Sequence, residues 1–300
     1  MINKKYSKAI LAATGVYTIW GFTFMASKVA QETVTPFVLL MWRFDIAILV
    51  LSLPMLFGKQ RLDLKGKSIL PLILLGLMEP CIYFIGEQYG LRFSNSAFSG
   101  IMIAVIPIVS MFMSVVFLKE KPNAAQWFFS ALSIGGIIAI TLMENSGGEI
   151  RPLGIVFLSI AVISGSGYGV LSRKSADKFS VYERSWFMQL MGAVFFTVIA
   201  VIEQHGDPVA LFTPLTDMRF VLSALYLSLG ATVAGYMLFN YAVSKAPMAN
   251  VISLCNLTTV ISVLAGVLIL GEPFSILSLV AMAAVIIGII GVQRFSPESE

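Results

Sequence analysis

The sequence predicts an all-α integral membrane protein: ten transmembrane helices in two five-helix repeats of inverted topology, both termini cytoplasmic. Three observations predict it. Of 300 residues, 58% are hydrophobic and 12% charged, whereas a soluble domain carries roughly 25% charged residues; mean hydropathy is +0.89. Apolar windows long enough to span recur ten times, since a bilayer core of roughly 30 Å takes about 20 residues of helix. The second half of the chain echoes the first at a nearly constant offset.

Windows bounded by charge, Gly and Pro place the first five helices near residues 9–29, 36–57, 69–90, 95–118 and 124–143. The second five fall near 153–172, 182–203, 220–245, 248–270 and 276–294. The first opens after Lys4, Lys5 and Lys8; Pro36, Pro152 and Pro247 stand at or beside later starts, and Lys119-Glu120, Arg173-Lys174, Lys245 and Arg294 mark ends. Lys4, Lys5 and Lys8 before an apolar run, with Val29-Ala30 after it, loosely imitate a secretory leader. The length of the run and its partner in the second half argue that the first helix is retained. The ten spans leave no room for a separate soluble domain.

Orientation follows from the basic residues. With the N-terminus inside, fifteen of the 20 Lys and Arg fall in cytoplasmic segments, Lys59, Arg61, Lys65, Lys67, Lys174 and Lys178 among them. Only Lys28, Arg92, Arg151 and Arg219 fall outside, and Arg43 lies within the second helix. By the positive-inside rule both termini are cytoplasmic. The net charge of +4 is therefore a topology signal and not a nucleic-acid signal. Cys81 and Cys255 both lie in apolar runs and say nothing about redox compartment.

The echo between halves defines the repeats as residues 1–147 and 148–300. Tyr89, Ala97, Ser110, Glu120 and Gly136 meet Tyr241, Ala249, Ser262, Glu272 and Gly288 at an offset of 152. Val16, Gly21, Lys28 and Ala30 meet Val162, Gly167, Lys174 and Ala176 at 146. An odd number of spans per repeat makes the halves enter the membrane from opposite faces, which gives two opposite-facing conformations similar energies and favours alternating access to a central site.

Trp20-Gly21, Arg43-Phe44, Pro107, the run Phe117-Leu118-Lys119-Glu120, and Leu270-Gly271-Glu272 in the second half together resemble the EamA-type branch of the drug/metabolite transporter superfamily. The resemblance spans nearly the whole chain. It implies ten helices in two five-helix repeats, and export or exchange of small metabolites across a bacterial inner membrane. Two positions depart from the pattern: Thr258-Thr259 stand where a Pro is expected in the ninth helix, and Ser166-Gly167 where a Trp-Gly pair is expected in the sixth.

Ionisable residues at membrane depth are costly and functional by default. In the third helix, Glu79, Tyr83 and Glu87 recur every four residues and so share one helical face. Glu79 could take up and release a proton as its exposure changes, or serve as hydrogen-bonding glue between helices. Arg43 could pair with Glu87 or hold a substrate carboxylate, and Asp45 is a second candidate proton site. Flat apolar walls with a few orienting polar groups suit an amphipathic solute, and Trp20, Tyr83, Tyr168, Tyr236, Asn240 and Asn256 with Glu79 are the candidate wall. Thr232, Tyr236 and Asn240 share a face of the eighth helix. Pro80 and Pro107 should kink the third and fourth helices and act as hinges, and Gly86/Gly90 and Gly165/Gly169 have GxxxG spacing for close helix approach.

The reading is a secondary transporter of small amphipathic metabolites such as amino acids, an exporter or exchanger that could be coupled to protons. The partners it implies are the solute and the lipid bilayer, with oligomeric state open. The sequence shows no phosphate loop, dinucleotide fingerprint, metal-ligand spacing or cofactor motif. A channel or lipid scramblase would share the bundle, though it needs no inverted repeat. A membrane-embedded enzyme is disfavoured, because nucleophilic or metal-assisted chemistry usually draws on His, and the single His205 falls in an outside loop.

Overall fold

A computed structural model of the chain describes residues 6–94, 96–143, 151–270 and 276–295. The repeat boundary at 147–148 and the pair Gly271-Glu272 lie outside the described residues. Within them all regular structure is helical. The principal segments are α1 (Ser7–Ala30), α2 (Pro36–Leu56), α3 (Leu70–Arg92), α4 (Phe98–Leu118) and α5 (Ala124–Met143). They continue as α6 (Pro152–Ser175), α7 (Val181–Glu203), α8 (Met218–Lys245), α9 (Met248–Ile269) and α10 (Ile276–Arg294). Eight are long and apolar enough to cross a membrane; in α5 and α10 the apolar stretches Ala124–Ala139 and Leu279–Arg294 are shorter. Large apolar side chains such as Leu11, Leu49, Phe112, Val198 and Leu268 are exposed on the outside of the bundle, as a lipid-facing surface requires.

Several helices expected to be continuous are interrupted. In α3 the backbone leaves the helix at Glu79 (φ −146°, ψ 121°) within a π-type stretch, Leu77–Ile82, and the Glu79–Pro80 peptide is cis. Pro has no N–H to donate and its ring crowds the preceding residue out of the α region, so α3 breaks at the position where the sequence predicts a kink. The four-residue spacing of Glu79 to Tyr83 therefore does not arise from one helical face, whereas Tyr83 and Glu87 do share a turn of Tyr83–Arg92. In α4 the break falls at Val105, and Pro107 sits in the first turn of Ile106–Met113, where its missing N–H costs nothing. Elsewhere the helix changes form with no proline present: α1 divides at Phe22, α4 ends in a π-type stretch at Ser114–Leu118, α8 widens into a π segment at Tyr226–Ala234, and α9 narrows to a 3-10 turn at Ser253–Asn256.

The helices pack chiefly as α2 on α7, α5 on α10, α1 on α8 and α3 on α6. Thr35 at the start of α2 donates to Glu203 at the end of α7 at 2.6 Å, and Tyr182 at the start of α7 donates to Leu51 O near the end of α2; the pair is antiparallel. Where α2 and α7 cross, Phe44 stacks on Phe196 at 5.6 Å and Thr197 Oγ1 donates to Asp45 at 3.0 Å. Where α5 and α10 cross, a Cβ on Gly136 would come within 2.7 Å of Ala281 O and 2.8 Å of Val285 Cγ2, and one on Gly288 within 2.6 Å of Phe129 O and 2.7 Å of Ser133 Cβ. Ser133 Oγ also donates to Val285 O at 3.4 Å. Phe44/Phe196, Asp45/Thr197, Phe129/Ala281, Ser133/Val285 and Gly136/Gly288 are each 152 positions apart. Gly86 likewise admits Phe157 O and Ala161 of α6, which would lie 2.8 and 2.9 Å from a Cβ. The GxxxG partners Gly165 and Gly169 instead face different neighbours, Tyr83 and Met248.

The connections gather at two ends. At one, Asp63 N of the 57–69 connection donates to Glu183 Oε1 at 2.8 Å, and Lys67 lies 5.7 Å from the Phe179 ring. At the other, Arg219 pairs with Glu32 at 3.2 Å and Trp42 Nε1 donates to Leu211 O at 2.9 Å. Lys59, Arg61, Lys65, Lys67, Arg173, Lys174 and Lys178 all belong to the first end.

Candidate functional site

The interruptions converge on a cavity of about 630 Å³. The broken middle of α3 contributes Glu79, with Tyr83 and Glu87 beyond it; α1 supplies Tyr17 and Trp20, α2 supplies Arg43, and α6, α8 and α9 bring Tyr168, Tyr236 and Asn256. Aromatic rings form a continuous wall. Trp20 meets Tyr17 edge-on at 5.5 Å, Tyr236 at 5.4 Å and stacks on Phe239 at 5.8 Å, while Tyr168 stacks on Phe239 at 5.3 Å. The indole Nε1–H is satisfied by Ala231 O at 2.9 Å, within the π segment of α8. Gly235 leaves room for that indole, since a Cβ there would stand 2.7 Å from Nε1. The cavity reaches the end of the bundle bearing Lys28, Gln31 and Gln88; Tyr17, Tyr168 and Phe239 line its inner part.

Glu79, Glu87 and Arg43 are each held by a hydroxyl. Tyr236 Oη donates to Glu79 Oε1 at 2.6 Å, and Tyr83 Oη to Glu87 Oε1 at 3.0 Å. Arg43 Nε donates to Thr232 Oγ1 at 2.6 Å, and the guanidinium carbon lies 5.0 Å from the Phe84 ring centre and 5.6 Å from that of Phe44, a cation–π brace. Arg43 and Glu87, which the sequence allows to pair, do not form an ion pair. Cys255 also faces the cavity and is half-buried, whereas Cys81 is buried.

Asn240, Asp45 and Pro80 stand away from the wall. Asn240 is fully buried and saturated: its Oδ1 accepts from Tyr168 Oη at 2.8 Å and Ser172 Oγ at 2.6 Å, and its Nδ2 donates to Ser185 Oγ at 2.9 Å. Arg184 completes this knot, donating to Ser172 O and Oγ at 2.7 Å and to Asn240 O at 3.1 Å. Asn240 thus holds Tyr168 in place from behind. Asp45 turns to Thr197 of α7, and Pro80 packs beneath Gly192, a Cβ on which would lie 2.7 Å from its ring. Asn256 lies on the wall, with its Nδ2 donating to Ser133 Oγ at 2.9 Å. Tyr17 and Phe239 belong to the wall although the sequence does not single them out. Each lies three residues from a named aromatic, Trp20 or Tyr236, and that spacing is the signal that could have found them. Tyr17 Oη is buried and has no hydrogen-bond partner among the described residues.

Behind the inner part of the cavity, three helix ends are tied together. Glu120, just past α4, lies 2.7 Å from Arg173 Nε near the end of α6, and its other oxygen accepts from Met248 N at the start of α9 at 2.9 Å. Arg173 Nη1 also donates to Val243 O at 2.7 Å and to Ala246 O. Among the described residues no group of three or more His, Cys, Asp or Glu stands together that could hold a metal ion.

The EamA-like transporter family model matches residues 7–142 and again residues 152–294. The chain is 30% identical over 295 residues to Uncharacterized transporter YcxC of Bacillus subtilis (strain 168), covering 97% of this chain and 94% of that protein. It is 25% identical over 293 residues to a Probable terminal-alkyne amino-acid exporter of Streptantibioticus cattleyicolor, covering 97% and 95%. A solved crystal structure superposes with a TM-score of 0.82 at 16% identity, covering 97% of this chain and 99% of that one; the likeness is one of fold.

Proposed function

The chain belongs to the EamA-like transporter family and is a multi-pass membrane protein, and from that premise we propose that it is a secondary transporter of small amphipathic solutes such as amino acids. It exports or exchanges them by alternating access across a bacterial inner membrane, with Glu79 as the site of proton coupling. Its ten helices form two inverted repeats, residues 1–147 and 148–300, with both termini in the cytoplasm. The Ser133–Val285 contact at the α5–α10 crossing, between residues 152 apart, and the two successive family matches support the repeats. Basic residues gathered at one end support the orientation.

One observation carries the functional reading. A cavity of about 630 Å³, walled by aromatic rings and holding charge at membrane depth, extends to one end of the bundle, while Glu120 and Arg173 tie helix ends together behind its inner part. This is an outward-facing carrier: solute enters from one side, and the other side opens when the inner tie parts. The amino-acid exporter among the relatives supports the solute class. In vesicles holding the purified protein, labelled amino acid should enter saturably and faster when unlabelled solute is trapped inside. Unsaturable flux without that acceleration would make the protein a channel.

A further inference from the structure

The cavity contains opposite charges that are kept from neutralising each other. Arg43 of α2 and Glu79 of α3 both line it, yet no ion pair joins them. The reason lies in α8, where Thr232 and Tyr236 stand about one turn apart. Thr232 takes Arg43 Nε at 2.6 Å and Tyr236 takes Glu79 Oε1 at 2.6 Å. Both partners belong to α8, so that one helix holds the two charges apart. Both retain capacity. Among the described residues the Nη groups of Arg43 make no hydrogen bond or ion pair, and Glu79 Oε2 accepts none. Charges buried this deeply are costly unless paired, so a separated pair in a cavity calls for a ligand that completes it.

We infer that Arg43 and Glu79 form a two-pole clamp for the head of an α-amino acid, with the solute carboxylate on Arg43 Nη1 and Nη2 and the solute ammonium on Glu79 Oε2. The planar guanidinium suits a carboxylate, and the carboxylate of Glu79 suits an ammonium that also meets the faces of Trp20 and Tyr236. A solute with both poles on one carbon satisfies both charges at once, and its side chain lies along the wall of Trp20, Tyr83 and Tyr168. An amine or a carboxylic acid alone leaves one buried charge unmet. Glu87, held by Tyr83, adds a negative charge along the same wall. The clamp rests on the reading of this cavity as the solute path.

The test is binding to the purified protein in lipid nanodiscs, read by calorimetry. The twenty protein amino acids are screened first, and the tightest is then compared with its decarboxylated amine and its deaminated acid. The intact amino acid should bind at least tenfold tighter than either single-pole analogue. Arg43→Gln should lower its affinity at least tenfold and abolish its advantage over the amine, and Glu79→Gln should lower it at least tenfold and abolish its advantage over the acid. Single-pole analogues binding within threefold of the intact amino acid, or no binding by any of the twenty, would overturn the clamp. Should Arg43→Gln fail to fold, the analogue series on the unmodified protein decides the matter. Saturable counterflow of single-pole solutes equal to that of amino acids would remove the clamp and leave the carrier reading standing, whereas absence of saturable counterflow for every solute would remove the carrier reading.

Discussion

Phe44 and Phe196, 152 positions apart in the chain, lie face to face with 5.6 Å between ring centres and 19° between planes. Ser133 and Val285, also 152 positions apart, meet between α5 and α10, where Ser133 Oγ donates to Val285 O at 3.4 Å. At both crossings a helix of the first half of the chain packs against a helix of the second.

Small residues at the α5–α10 crossing should be equally intolerant on both helices. Gly136→Leu and Gly288→Leu each drive a side chain into the opposing backbone and should cost about 1–3 kcal/mol, read as loss of monodisperse protein on heating. Gly135, beside an open space, should accept Leu with little change. Sensitivity at Gly136 alone would count against a two-fold relation.

Orientation is tested by labelling. With Cys81 and Cys255 replaced by Ser, a cysteine at Gln60 should resist an impermeant maleimide in intact cells and react after lysis. A cysteine at His205 should react in both. Labelling of the Gln60 position from outside would reverse the assignment of the ends.

The tie between Glu120 and Arg173 should hold the inner end shut. Arg173→Gln removes the ion pair and the two hydrogen bonds that Nη1 donates to carbonyls of the α8–α9 region. A cysteine at Ala249, which is buried, should then react several-fold faster from the cytoplasmic side. An unchanged rate would mean that the inner end is closed by packing alone.

Pro107 should govern the rate of the conformational cycle. It starts the second segment of α4 after the break at Val105, and Pro107→Ala restores a backbone donor that can join the two segments. Exchange should slow while equilibrium binding stays within a few-fold. Equal loss of both would assign Pro107 to the shape of the cavity.

Glu79→Gln keeps a partner for Tyr236 and removes the titratable group. At saturating solute, solute-for-solute exchange should persist, whereas accumulation driven by a proton gradient should fall at least tenfold. Undiminished, pH-dependent accumulation in the variant would move the coupling site elsewhere. Failure of the variant to insert would make Glu79 a structural tie between α3 and α8.

The helices were legible because their signal is composition over a window, and the breaks at Glu79 and Val105 because proline leaves a local mark. The division at Phe22 and the π segment of α8 carry no such mark. They arise where distant parts of the chain compete for the backbone, as Trp20 does for Ala231 O. The cavity wall was legible as a composition of aromatic and polar residues, and most of the named side chains reach it. What a polar side chain touches was not legible. Asn240 shares a sequence spacing with Tyr236, yet its partners Ser172, Ser185 and Arg184 come from α6 and α7 and draw it behind the wall. Arg43 finds Thr232, 189 positions away, in place of the acid two turns along a neighbouring helix.

Cys255 gives the protein a built-in reporter. It is half-buried and on the cavity wall, while Cys81 is buried, its Sγ beside Met191 O. Alkylation of the unaltered chain should therefore proceed mainly at one thiol, at a speed set by whether a solute molecule shields it. Following that speed in living cells while extracellular compounds are varied would rank cargo by occupancy, with no engineered cysteine or radiolabel and before any solute has been identified.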